Sequence, residues 1–276
     1  ARVLKGEKTL RLHYSNCKAY NADFDGDEMN AHFPQNEVAR SEGYNIANVS
    51  NQYLVPKDGT PLGGLIQDHV ISGVRLTLRG NFFTKQDYWQ LVYSALYDQK
   101  GNIQTLPPAI IKPVQLWSGK QIISTIIINI IPKGKAKINM TAGAKITPKA
   151  WEINEPRAWK CGVEFTDPKT MSEAEVIIRG GELLSGVLDK THYGATPYGL
   201  IHCMYELYGG DCSTRLLSAF GKIFQYNLQR TGFTLGVEDI LVAAKNDKKR
   251  RELIERCRLV GDSAQKAALG LPEDTP

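Results

Sequence analysis

Residues 2–14 (RVLKGEKTLRLHY) alternate loosely between apolar and polar around Lys5-Gly6-Glu7, which predicts a β-hairpin. Residues 36–48 place Val38, Ala39, Ile46 and Ala47 among charged neighbours and predict a helix. The run Pro56-Lys57-Asp58-Gly59-Thr60-Pro61 is strong turn chemistry and reads as a domain boundary. Beyond it, Leu65, Ile66, Val70, Val74 and Leu78 form one stripe of a helix over 62–78. Thr84 is placed to cap a second helix over 85–97, packing through Trp89, Val92 and Leu96. Pro107-Pro108 and Pro113 mark an extended stretch, after which Ser118 caps a helix over 119–131 that Pro132 follows.

Residues 133–172, rich in Lys, Gly, Thr and Pro without a clean period, read as a surface excursion. VIIRGGELLSGVL (176–188) predicts a hairpin turning at Gly180-Gly181. Residues 198–208 and 212–231 are helical, the second packing through Leu216, Leu217, Phe220, Ile223, Phe224 and Leu228, with Gly232 as its stop. Residues 239–269 read as charged amphipathic helix.

Composition narrows this picture. The 276 residues suffice for one large domain or two ordinary ones, and 42% apolar content suffices for a core. No apolar run reaches the ~18–20 residues a bilayer span needs, so no membrane partner is expected. The beginning lacks the apolar core of a signal peptide, and both ends are abrupt, as in a piece of a longer chain. Five cysteines without a CxxC pair argue against a zinc ribbon or a disulfide framework and for a reducing compartment. Net charge is +5, compatible with a nucleic-acid partner without indicating one. The basic run KNDKKRR (245–251) is either a solvated helix face or a nuclear-import or phosphate-binding element.

The segment NADFDGDEMN (21–30) carries the chemistry. Asp23, Asp25 and Asp27 put three like charges within five residues, while Ala22, Phe24, Met29, Ala31 and Phe33 predict a segment threaded through structure. Carboxylates ~4–5 Å apart repel by about 1 kcal/mol in water, and by more when buried. Such a cluster costs little only if its side chains are fully solvated or if a cation joins them, and the apolar flanks argue against a segment hanging in water. In a flat strand, residues two apart lie ~6.6 Å apart and residues four apart ~13 Å. Oxygens sharing one Mg²⁺ lie at most ~4.2 Å apart. The backbone must therefore curl, and Gly26 is where it can. Hard carboxylates without His or Cys nearby favour Mg²⁺ over Zn²⁺.

Three carboxylate-loop designs compete. An EF-hand counted from Asp23 needs Gly and Glu where Glu28 and Pro34 stand. A phosphatase of the haloacid-dehalogenase type needs Thr where Asp27 stands and an apolar strand where KAYNA stands. The third pattern, N-A-D-F-D-G-D-x-M-x-x-H, fits Asn21–His32 position by position. On this motif the chain resembles the largest subunit of multisubunit DNA-dependent RNA polymerases. LIQD (65–68), PPAIIKP (107–113), LWSGKQI (116–122), GAT (194–196), GLIH (199–202) and GFTLGVED (232–239) look like further family landmarks. HFPQNE (32–37), GLIQDH (64–69) and LDK before HYG (188–194) resemble the eukaryotic polymerase I branch.

The resemblance implies an α+β fold: the C-terminal part of a double-psi β-barrel (1–52), an α/β pore domain (53–238) and the start of a helical funnel (239–276). It implies two-metal nucleotidyl transfer extending an RNA 3′ end, with Asp23, Asp25 and Asp27 as catalytic ligands of a tightly bound Mg²⁺. A second Mg²⁺ arrives with the nucleoside triphosphate. Asn21 matches the residue beside the incoming ribose hydroxyls, its other reading being a turn residue. His32 is either structural or a proton donor. GFTLGVED either faces the nucleotide channel or simply packs. The implied partners are the second-largest and other polymerase subunits, DNA template, RNA transcript and nucleoside triphosphates, in the nucleus and nucleolus. The R-Q-P-x-L-H element, clamp, bridge helix and trigger loop of the family are not in this sequence. Activity is therefore expected only in the full assembly, and the isolated chain reads as a structural fragment.

Overall fold

A computed structural model describes residues 4–152 and 173–272. The fold is mixed α and β, in two compact units, Ala1–Thr231 and Gly232–Pro276.

In the first unit, the spine is α9 (Gly210–Thr231), which packs against α3 (Asp68–Thr77), α4 (Lys85–Leu96), α5 (Gly119–Ile130) and α8 (Leu200–Tyr208). The stripe Leu216, Leu217, Phe220, Ile223 and Phe224 is buried as its spacing predicts. α5 is apolar nearly all round because it is covered nearly all round: Ile122, Ile123, Ile126, Ile127 and Ile130 are buried against α4, α9 and β5 (Glu182–Ser185). Ser118 and Gln121 form a reciprocal capping box at its start. Its two buried hydroxyls are satisfied: Ser124 accepts from the Leu183 N–H at 2.8 Å, and Thr125 pairs with the Tyr88 hydroxyl at 2.7 Å.

Two small antiparallel sheets edge this core. β1 (Phe82–Thr84) pairs with β2 (Leu116–Ser118). β3 (Met140–Gly143), β4 (Glu175–Arg179) and β5 form the second, with the expected hairpin at Gly180-Gly181 joining β4 to β5.

Several expectations are corrected. Residues 4–13 form the turn at Lys5-Gly6 but no ladder. The arms bury no face, with Leu10 exposed, and a two-stranded hairpin without a buried face is marginal. The helix expected over 62–78 begins only at Asp68. Residues 62–66 stay outside the helix because Leu65 donates to the Tyr193 carbonyl at 2.7 Å and Gly64 lies against Ala195, where a Cβ would come within 2.0 Å of the Ala195 nitrogen. In α4 the Thr84 cap forms, but Trp89 is exposed and the buried stripe is Tyr88, Leu91, Val92, Ala95 and Leu96. The stretch read as a surface excursion supplies β3, the buried Ile138 and a short helix, α6 (Pro148–Glu152). The rest of that stretch, 153–172, lies outside the described residues.

In the second unit, a short turn of helix, α10 (Val237–Ile240), precedes α11 (Ala244–Ala268), in which no residue is buried. Within the basic run, Asp247 pairs with Arg250 and Arg251 at 2.6 and 2.9 Å. Among the described residues, no helix is long and apolar enough to cross a membrane.

Candidate metal centre

Immediately before the aspartates the chain makes a 3₁₀ turn, Tyr14–Asn16, and one turn of helix, α1 (Cys17–Tyr20). The turn is capped by His13, whose Nδ1 accepts from the Ser15 N–H at 3.1 Å. Cys17 is buried. Lys18 reaches across to two distant loops, donating through Nζ to the Pro61 carbonyl at 2.8 Å and the Ala195 carbonyl at 2.9 Å. Asn21 ends the helix in the left-handed region (φ 49°). There the Asn21 N–H donates to the Lys18 carbonyl and the Ala22 N–H to that of Cys17. The aspartate loop therefore leaves a fixed point in a fixed direction.

The loop then curls as the charge spacing requires. Gly26 sits at φ 120°, a conformation that side chains resist. The Asp23 N–H donates to the Asp27 carboxylate at 3.0 Å, closing the loop on itself. One carboxylate oxygen from each of Asp23, Asp25 and Asp27 lies within 4.8 Å of the others, all three residues exposed. Among the described residues this is the one such group of His, Cys, Asp or Glu. Hydrogen bonding with the Asp25 side chain holds the Asp23 carboxyl above the ordinary carboxylate range, and partial desolvation and repulsion from Asp25 add to this. A bound cation relieves that crowding.

The cluster fits a hard divalent cation. Its 4.8 Å span exceeds the ~4.2 Å limit for oxygens sharing a Mg²⁺ by a margin that small side-chain rotations close. All the donors are carboxylate oxygens, the chemistry such an ion prefers.

The apolar flanks are not threaded through this unit. Phe24 and Phe33 are 55% and 76% exposed, Ala31 is exposed, and Ala22 and Met29 are half-buried. Among the described residues Phe24 has one aromatic support, an edge-to-face contact with Tyr14 at 5.5 Å, and Tyr14 in turn meets His69 at 4.7 Å. His32 is exposed and lies outside the carboxylate group. Sequence reading missed Lys18, Tyr14 and His69. Their partners lie from ten (Tyr14 and Phe24) to 177 (Lys18 and Ala195) residues away, and a lone Lys or Tyr carries no local signal of such a contact.

The RNA polymerase Rpb1 domain 3 model matches residues 52–240, and the Rpb1 domain 2 model matches residues 1–49. The chain belongs to the RNA polymerase largest-subunit family. Across its whole length it is 64% identical to DNA-directed RNA polymerase I subunit RPA1 of Drosophila melanogaster, covering 17% of that protein. It is 43% identical over its whole length to the polymerase I subunit RPA190 of Saccharomyces cerevisiae, covering 16% of it. To the polymerase III subunit RPC1 of the same yeast it is 33% identical over 90% of this chain. The chain thus spans about a sixth of the largest subunits it matches, and its likeness is greater to the polymerase I subunits. Membership in this family gives the phosphatase alternative no support.

Proposed function

We propose that this chain is a catalytic-core segment of RNA polymerase I, extending RNA 3′ ends in ribosomal RNA synthesis within the full assembly. One observation carries the reading. The three aspartates of NADFDGD converge, around Gly26, into one carboxylate group in a chain of the largest-subunit family.

In this reading, residues 1–52 belong to a double-psi barrel, 53–238 to a pore domain and 239–276 to the start of a funnel. Asp23, Asp25 and Asp27 hold the catalytic cation. Magnesium held there would supply Lewis-acid activation to an RNA 3′-hydroxyl, and a second ion brought with the nucleotide would supply charge stabilisation to the pyrophosphate. The chain's own residues position. The aspartates fix the charge that selects a hard cation. Asn21, left-handed at the head of the loop, presents an uncharged amide that both donates to and accepts from ribose hydroxyls. The exposed Phe24 and Phe33 are surface for neighbouring polymerase elements, including the second-largest subunit. DNA template, RNA transcript and nucleoside triphosphates are the substrates, and nucleus and nucleolus the location.

The test is Asp25→Ala in the complete polymerase, assayed for elongation on a primed scaffold. Loss of elongation with assembly retained is expected. Near-normal elongation overturns the reading.

A further inference from the structure

We propose that Lys18 and Tyr14 are positioning residues that mount the aspartate loop on the body formed by residues 53–231. The inference rests on the metal-binding reading above and adds to it what holds the loop in place.

The loop has little support of its own. Its three aspartates and Phe24 are exposed, and its hydrogen bonds, from Asp23 to Asp27 and between Asp23 and Asp25, stay within the loop. Its placement must come from the residues before it. Lys18 supplies the first point. Its ammonium donates to two carbonyls from separate loops, Pro61 and Ala195. Charge-assisted bonds of this kind are roughly twice as strong as neutral ones. Two acceptors converging on one flexible stem fix both the distance and the angle of α1. The Ala195 loop is itself held, because Gly64 packs against it and Leu65 donates to the Tyr193 carbonyl. Asn21 and Ala22 hang from the carbonyls of Lys18 and Cys17, so a shift of α1 moves the aspartates with it.

Tyr14 supplies the second point. Its ring receives Phe24, from between two of the ligands, at 5.5 Å and 68°, and meets His69 of α3 at 4.7 Å and 79°. Both are edge-to-face contacts, the preferred geometry for aromatic pairs. His69 is buried and backed by α9, where a Cβ at Gly221 would come within 3.5 Å of its ring. The chain Phe24, Tyr14, His69 thus runs from the loop to the core. Lys18 fixes where the loop starts, and Tyr14 fixes its tilt.

The test uses the complete polymerase carrying Lys18→Met, Lys18→Arg, Tyr14→Ala or Tyr14→Phe, beside Asp25→Ala. Two measurements are made: Mn²⁺ binding by titration with electron paramagnetic resonance, and elongation across a range of nucleotide concentrations up to saturation. Lys18→Met and Tyr14→Ala are each expected to weaken Mn²⁺ binding about tenfold, the lower range for residues supporting a metal site. Maximal elongation falls in parallel and the nucleotide KM changes little. Lys18→Arg, which keeps a charged donor, and Tyr14→Phe, which keeps the ring edge, restore both. Should Lys18→Met fail to assemble, the Tyr14 pair decides alone. If Asp25→Ala is inactive while Lys18→Met and Tyr14→Ala bind Mn²⁺ and elongate normally, the mount is refuted and the metal reading survives. If Asp25→Ala elongates normally, the metal reading itself falls.

Discussion

The backbone N–H of Asp23 donates to the side chain of Asp27, four residues on, at 3.0 Å. One ligand of the acidic cluster therefore also shapes the loop that presents the other two. Asp27→Asn keeps an oxygen to accept this bond but removes the charge, whereas Asp27→Ala removes both. In the assembled enzyme both variants are expected to bind Mn²⁺ more weakly than the parent. The alanine variant loses about a further fivefold, the scale of one neutral hydrogen bond of about 1 kcal/mol. Equal loss in the two would show that closure of the loop does not matter.

Gly26→Ala isolates the curl. No atom lies within 4 Å of where the new Cβ would go, so any effect comes from φ 120° alone. Holding an alanine in such a conformation costs of order 1–3 kcal/mol, which the loop escapes by flattening. Mn²⁺ binding is expected to fall about tenfold or more while the melting temperature of the chain changes little. A large drop in melting temperature with metal binding intact would contradict this.

His69 makes the first unit acid-sensitive. Its ring is pushed down to about 4, chiefly by burial, with His13 adding to the shift and Asp68 opposing it. Between 6.5 and about 4 the unfolded chain takes up a proton that the folded chain refuses. Its contribution is fully present above 6.5 and is lost as pH falls through that window. Thermal unfolding of His69→Gln should show a shallower fall in stability from pH 6.5 to 4. Some slope remains, because burial also lowers His13 and His192.

An ion triad around the buried Glu173, just before β4, ties in the α3–β1 connection and α5 through the half-buried Arg79 and Lys120. Glu173 accepts from Arg79 at 3.1 Å and from Lys120 at 2.8 Å, and Lys120 also donates to the Thr77 carbonyl. Glu173→Ala leaves the half-buried Lys120 with one acceptor fewer. It is expected to destabilise the chain by about 3 kcal/mol, the scale for breaking a buried pair. Chemical denaturation measures this, and a change under 1 kcal/mol would contradict it.

What could be read from the sequence was local. α5 is announced by its Ser118 cap and by Pro132 after it, and it forms where expected. The curl at Gly26 follows from geometry, since three alternating aspartates on a flat strand cannot meet. What failed was decided by distant contacts. Leu62–Ile66 has helical spacing, yet docking on the Tyr193–Ala195 loop keeps it out of the helix. Trp89 fits an apolar stripe, yet α4 turns its Tyr88 face inward to stack on Trp117. β3 is four residues among lysines and glycines, and only its register with β4 makes it a strand. At the site, the ligands were legible and their mount was not, because Lys18 and Ala195 are 177 residues apart.

The most direct measurement of the central claim is anomalous diffraction from Mn²⁺ in the complete polymerase bound to a primed scaffold. A peak about 2.1–2.2 Å from one oxygen each of Asp23, Asp25 and Asp27, next to the RNA 3′ end, is the predicted result. An empty position between those carboxylates, with manganese bound elsewhere near the 3′ end, would contradict it.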